Sequence, residues 1–441
     1  MIKRIFWQVL IMFLASTNKG AAAVVTPDSI TDDSVQHRQK APTRTVKHYD
    51  VDMAMKISLS AHPSIGAGQA LVASAEAAGR VARAGYFPEL NLSTAKTLDE
   101  KDNGNQFIVT LEQPLYTFGK ISGRVDVAEL NEINARLDLD KEATDLAYNV
   151  AKAYISVQQY RMLMGIAEKQ LQGFEAIRTL ARDKVSAGAS AESDLSQTEA
   201  RTASATASLF TYKAEFKKWS EELSGLTAHR VSEADVLPGI THFFRDSCKT
   251  MFSDESANVK KAKVEMLIKE KELELAKNNM YPTVSLRATY EKGAGHQRNR
   301  YRDDKSVSVN LSMPVSVGNF YEIEKSQYEF QRNRYHFDDV SLREKTSLNA
   351  AREQLPGYQG LMVAARKRAA AATRTRDIYR EQYTRLGSRT LLDFLNAESD
   401  IHQAGIEVVI SLSRIQLLNL DCQYYSARLI AGHTEMKEAI N

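Results

Sequence analysis

Two rhythms of apolar residues run along this chain, and they change places twice. Leu90 and Leu92 alternate with Asn91 and Ser93; Phe107, Val109 and Leu111 alternate with Ile108, Thr110 and Glu112. The rhythm returns with Val284, Leu286, Ala288 and Tyr290 against Ser285, Arg287, Thr289 and Glu291. It returns again with Val307, Val309, Leu311 and Met313 against Ser306, Ser308, Asn310 and Ser312. A period of two places apolar side chains on one face of a strand and polar ones on the other. The pattern predicts four strands in two pairs, joined by the polar loops "LDEKDNGN" and "GAGHQRNRYRDD". Runs of about 10 residues suit tilted membrane strands. A half-buried hairpin on a soluble domain would share the pattern.

Elsewhere the spacing is three and four. Ala143, Ala147, Val150, Tyr154, Val157, Met164, Ala167, Leu171 and Phe174 follow a coiled-coil rhythm. Residues 120–185 contain no proline, and at about 1.5 Å per residue they predict a helix roughly 100 Å long. After the turn "SAGAS" a shorter helix is predicted over 191–226, and another over 50–85 precedes the first strand. The second half repeats the scheme with 319–385 as the long helix and 255–280 and 390–431 as the short ones. In each half the two short helices, stacked end to end, match the long one. Pro356-Gly357 lies inside the second long helix and predicts a kink or break there.

The two halves are copies. Pro88 and Pro282 are 194 positions apart, and Gly119/Gly318, Gly188/Gly387, Asp194/Asp393 and Glu199/Glu398 are each 199 apart. That period is too long for a solenoid and marks a duplicated half-molecule. The predicted organisation is a signal peptide at 1–23 and a flexible lead-in at 24–48. A first repeat follows at 49–226, with its strand pair at 86–118. A linker at 227–254 would form a small belt outside the helices. The second repeat is 255–432, with its strand pair at 281–317, and the tail is 433–441.

Composition removes several classes. A net charge of +3 argues against a nucleic-acid partner, and 43% hydrophobic with 26% charged residues excludes a disordered chain or a polytopic helical membrane protein. Lys3 and Arg4, an apolar core over 5–15 and Ala21-Ala22-Ala23 read as an export signal. No cysteine follows that core, so lipid attachment there is not expected. No later segment approaches 18 consecutive apolar residues, so the mature chain either stays soluble in the envelope or crosses a membrane by strands. Cys248 and Cys422 form no C-x-x-C, and two unpaired thiols are expected rather than a disulfide. There is no H-E-x-x-H, G-x-S-x-G or P-loop, so neither an enzyme nor a cofactor is expected. "NRYRDD" at 299–304 reads as a solvated loop.

Four strands cannot close a barrel, and lipid does not tolerate an open sheet edge. Three chains would give twelve strands and a ring of helices continuing from them. The fold class expected is therefore α+β: long α-helical coiled-coil hairpins with four membrane strands per chain, forming a trimeric 12-stranded barrel continuous with a helical tunnel.

The segments "ARAGYFPELNLS", "LEQPLYTFGK", "DKVSAGASAESDLSQTEAR" and "RLGSRTLLDFLNAES" occur in this order. Through them the chain resembles the TolC family of outer-membrane channel-tunnels over roughly residues 49–432. The resemblance implies a homotrimer seated in outer-membrane lipid with its helices in the periplasm. It also implies two protein partners, a periplasmic adaptor (membrane fusion) protein and an inner-membrane pump of RND or ABC type. The role implied is an exit duct for drug efflux or type I secretion; the alternative is a soluble periplasmic coiled-coil scaffold without a pore. By the same resemblance Asp194, Arg389 and Asp393 form the aperture or gate. Gly188 and Gly387 mark the adaptor-facing helical turns, and Pro114, Gly119, Pro314 and Gly318 the strand-to-helix exits. Asn396 stands where the family motif has a second acid. A plainer role for Asp194 and Asp393 is at helix starts, where the macrodipole favours acids.

Overall fold

The computed structural model describes residues 50–96, 105–229, 247–249, 256–294 and 301–430. The expected signal, lead-in and tail, and most of the 227–254 linker, lie outside the described residues.

Helix α1 (Val51–Ala61) starts on Asp50, whose carboxylate accepts a hydrogen bond from the Val51 amide. α2 (Pro63–Ala84) follows at once. The sequence predicted one helix over 50–85, but Pro63 divides it. Proline bars the preceding residue from the helical region, and His62 is extended at φ −74°, ψ 132°. Pro63 itself sits in the first turn of α2, where its missing N–H does no harm. β1 (Glu89–Lys96) and β2 (Asn105–Tyr116) come next, then α3 (Lys120–Ser186), 67 residues long, and α4 (Glu192–Thr227). The second repeat contains α5 (Ala257–Asn278), β3 (Thr283–Ala294), β4 (Tyr301–Ser312), α6 (Val317–Glu381), a π-turn at Gln382–Leu386 and α7 (Leu391–Tyr425). β4 takes in Tyr301 to Asp304, so most of the segment expected as a loop at 299–304 is strand.

Of the expected kink or break at Pro356, a break does not occur: α6 runs through it. Leu348 and Ala351 before the proline are buried against Leu418 and Cys422, and Leu355 and Tyr358 pack on the same cluster. Contacts on both sides hold the helix where one hydrogen bond is lost. The helical hydrogen-bond pattern changes at the π-turn, just ahead of Gly387.

The four strands form one antiparallel sheet in the order β1-β2-β3-β4. The β2–β3 ladder joins the two repeats, with Leu111 opposite Ala288 and Glu112 opposite Arg287. The register shifts between Pro114 and Tyr116, as expected where a residue without an N–H meets a ladder. The two faces are chemically opposite. Leu90, Leu111, Val309 and Leu311 lie on one. On the other, Glu112 accepts from Ser285 Oγ at 2.7 Å and from Arg287 Nη2 at 2.9 Å, with Asn310 beside Ser285. The apolar face is exposed, Leu311 and Val309 to 71% and 66%. β1 and β4 pair on one side only within the chain.

A test of this register follows. Leu311→Arg, on the apolar face, should destabilise by about 2–4 kcal/mol per chain if the face meets lipid at mid-depth, and outer-membrane assembly should fall. Asn310→Arg should assemble normally. The opposite ranking on a heat-modifiability gel would move the register by one residue.

Val150, Tyr154 and Val157 of α3 are fully buried, in the stripe that the coiled-coil spacing marked, and Ile155 beside them is buried as well. Cys248, on a short turn at Ser247–Lys249, and Cys422 form a disulfide with a Cα–Cα distance of 5.1 Å. Two unpaired thiols were expected. The correction comes from packing: with the two 174 positions apart, no local spacing signals that the turn docks against α7.

Candidate functional site

The predicted gate residues lie where the long helices reverse. α3 turns into α4 through Gly188 at φ 70°, and α6 turns into α7 through Gly387 at φ 62°. Both glycines occupy left-handed backbone that a side chain would strain. Neither meets a neighbour where a Cβ would stand, so conformation alone requires glycine there.

Asp194 lies in the first turn of α4 and accepts a hydrogen bond from Ser190 Oγ. Arg389 lies in the other turn. Its Nε donates to Gln382 Oε1 at 3.2 Å, its guanidinium stands 4.6 Å from the centre of the Tyr379 ring, and Nη1 is 3.8 Å from Asp393 Oδ2. Asp393 forms a capping box with Thr390, accepting from Thr390 Oγ1 at 2.9 Å while the Asp393 amide donates to that hydroxyl at 3.2 Å. Within one chain Arg389 therefore meets Gln382 and Asp393, whereas Asp194 meets Ser190. The helix-start role accounts for the local geometry of Asp393. Asn396 accepts from Arg201 Nη2 at 3.3 Å, an inter-hairpin link for which an amide oxygen serves.

The two reversals are joined behind their tips. Phe174, Ile177, Ala181, Ala205, Tyr383, Leu391, Phe394 and Leu395 form one buried cluster. Lys184 Nζ of α3 donates to the Tyr383 carbonyl at 2.9 Å and lies 3.9 Å from the centre of its ring.

Sequence reading missed the most buried ionic group of this region. Glu398 of α7 is 3% exposed, with Arg376 Nη1 at 3.1 Å and His402 Nε2 at 3.1 Å. Burial pushes the Glu398 carboxyl upward, but the His402 hydrogen bond and the Arg376 charge outweigh it and hold it below the usual carboxylate range. It lies flat against α3: a Cβ on Gly173 would come within 2.2 Å of Glu398 Oε1. The spacing of Glu398 and His402, four apart on a helix, was legible. Its duplicate Glu199 is exposed, so the repeat gave no warning of burial.

At the other end of the helices the two exits differ. Gly119 precedes α3 in left-handed backbone at φ 83°, with Asn278 Nδ2 2.8 Å from where its Cβ would be. Gly318 lies within the first turn of α6, and its amide donates to Ser316 Oγ at 3.2 Å. Pro114 sits at the bulge in β2, and the Pro314 carbonyl accepts from Asn319 Nδ2 at 3.0 Å. Beside the first exit Tyr116 meets Phe118 edge to face, with centroids 4.5 Å apart, and Phe118 stacks on Tyr281 at 5.9 Å. Among the described residues no group of three His, Cys, Asp or Glu is placed to hold a metal ion, and no helix is long and apolar enough to cross a membrane.

The family model described as "Outer membrane efflux protein" matches residues 55–229, the first repeat of this duplicated fold. Outer membrane efflux protein BepC of Brucella suis biovar 1 (strain 1330) is 23% identical over 341 residues, 75% of this chain and 74% of that one. Among solved structures, the Campylobacter jejuni CmeC outer membrane channel superposes with a TM-score of 0.74 at 12% identity, covering 89% of each chain. The Vibrio cholerae outer membrane protein VceC gives 0.73 at 16%, covering 85% of this chain and 95% of that one. These likenesses extend the fold over both repeats. The curated relative is described as an outer membrane efflux protein and the solved structures as an outer membrane protein and an outer membrane channel. The proteins matched are outer-membrane channels, and none favours the soluble-scaffold alternative.

Proposed function

We propose that this chain works as a homotrimeric, passive exit duct of a tripartite export system, opened by its adaptor and pump. One observation carries the reading: a four-stranded sheet, apolar on one face and polar on the other, opens at both edges and leads directly into the long helices. In lipid those edges need partners, and three copies supply twelve strands with a polar lumen. Residues 1–23 export the chain, the turns at Gly188 and Gly387 meet the adaptor, and the pump is of RND or ABC type. If the protein fractionates as a soluble monomer and gives no conductance in planar bilayers, the proposal fails.

The gate is a link between Arg389 of one chain and Asp194 of the next. Both lie at the reversals, and neither meets the other within its own chain. A guanidinium offers a carboxylate two parallel hydrogen bonds. Each exposed pair contributes only about 0–1 kcal/mol, but three copies act together on the closed state. Arg389→Ser and Asp194→Ala should each raise single-channel conductance and sensitise cells to large antibiotics. Asp393→Ala should weaken block by multivalent cations and leave trimer assembly nearly unchanged. Wild-type conductance in both link variants would place the gate elsewhere.

A further inference from the structure

A polar groove of about 520 Å³ runs over α5 between α3 and α6, within the size range of small-molecule sites. α3 contributes Asn131, α5 contributes Glu265, Lys269 and Glu272, and α6 contributes Arg332 and His336. All three helices belong to one chain, so the groove is complete without a second copy. None of these residues belongs to the gate or to the strand-to-helix exits. The side of the helical wall on which the groove opens follows from Lys120. Its Nζ donates to Thr283 Oγ1 at 3.0 Å, and Thr283 lies two positions before Ser285 on the polar face of the sheet. Arg124 and Asn131 stand about one and three turns of α3 beyond Lys120, so they share its side of the helix. The groove therefore opens on the side of the polar sheet face, which in the duct reading encloses the lumen.

The acids of the groove already have cations. Glu272 pairs with Lys269 at 2.7 Å, and Glu265 lies 3.5 Å from Lys261. Lys269 is also 3.5 Å from Glu329 of α6. Arg332 differs: among the described residues it makes no ion pair, hydrogen bond or ring contact, and neither does His336 one turn further along α6. Both are exposed, as is Asn131 across the groove. A guanidinium carries five N–H donors in a planar fork that fits a carboxylate. The Asn131 amide and the His336 ring supply further donors around it. The uncommitted charge of the groove is thus one guanidinium flanked by neutral donors, a set that suits an anion.

We propose that this groove is a way-station for small organic anions inside the duct, with Arg332 holding a carboxylate and Asn131 and His336 completing its hydrogen bonds. The proposal rests on the duct reading for its lumenal placement and adds to it the class of molecule that the wall recognises. Paired acids on α5 keep the rest of the groove near neutral, so the organic part of the ligand lies along Ile268 and the α5 side chains. The site is open and its cation is solvated, so a bound molecule leaves readily. Passage requires that balance: binding strong enough to draw a molecule in and weak enough to release it.

The test uses the full chain in detergent and two photoreactive probes of the same shape, 4-benzoylbenzoate and its uncharged amide. Illumination with the carboxylate should label peptides that contain Asn131, Ile268 or Arg332, and excess benzoate should remove that labelling. Arg332→Ala should lower the yield in the groove about tenfold, the scale of a lost hydrogen bond to a charged group. Asn131→Asp, which sets a like charge beside the ligand, should lower it as well. Neither side chain holds the fold together, so both variants should melt like the unaltered chain. Equal labelling by the amide, or labelling that survives Arg332→Ala, overturns the site. Conductance of the unaltered chain in planar bilayers reports the duct separately. A conducting chain whose groove takes no label loses the way-station and keeps the duct. A groove that labels in a chain without conductance overturns the lumenal placement together with the duct.

Discussion

Glu398→Ala will lower the thermal stability of the helical region by about 3–5 kcal/mol, the usual consequence of removing one partner from a buried charge cluster. The carboxylate is the common acceptor for Arg376 and His402, so its loss leaves His402 without that partner and Arg376 with Asp377 alone. Gly173→Val should act on the same group from the opposite helix. The new side chain would occupy the place of Glu398 Oε1, and the carboxylate cannot withdraw without leaving its two partners. Gly165→Ala, on the same helix with nothing within 4 Å of the added Cβ, is the control and should be nearly silent. Unfolding followed by circular dichroism in detergent separates these outcomes. If Gly173→Val melts with the control, Glu398 is not pinned against α3. The cluster also has a pH signature. The lowered pKa of Glu398 means that the folded chain binds this proton less readily than the unfolded one. Its stabilisation is complete above the ordinary carboxylate range and is lost as pH falls through the lowered folded value. The difference in stability between wild type and Glu398→Ala should therefore be full at neutral pH and narrow on acidification.

Cys422→Ser should cost about 2–5 kcal/mol, the range for removing a native disulfide. The bond pins the Ser247–Lys249 turn to α7 at a cluster that includes Leu348 and Ala351 on α6. Reductant should bring the wild-type melting temperature down to that of the variant and leave the variant unchanged. A non-reducing gel should show oxidised protein migrating faster than the variant. Equal melting temperatures with and without reductant in the wild type would mean that the bond adds nothing beyond the packing around it.

Most of the architecture was legible because period and repeat are local or arithmetic signals. Alternation marked all four strands, strictly in the second pair, and the offsets from Gly119/Gly318 to Glu199/Glu398 pointed to the duplication. What stayed hidden depended on partners distant in sequence. Pro356 reads as a breaker until Leu348 and Tyr358 are seen packed on either side of it. The Cys248–Cys422 pair was invisible for the same reason. At the reversals the types and positions of the charged residues were readable, but their partners were not: Arg389 meets Gln382 and Asp393 in its own chain, and Asn396 takes a bond from Arg201. Glu398 was counted as one more matched position, since nothing in the repeat tells a solvated glutamate from one pressed against Gly173.

The disulfide also makes the second repeat a closed covalent ring. Its circumference holds α5, both β3 and β4, and the whole of α6. A protease that cuts between β3 and β4 opens that ring without dividing it. The two pieces stay tied through Cys248 and Cys422 and come apart only when cleavage is followed by reduction, so a chain cut between these two strands would still be one molecule.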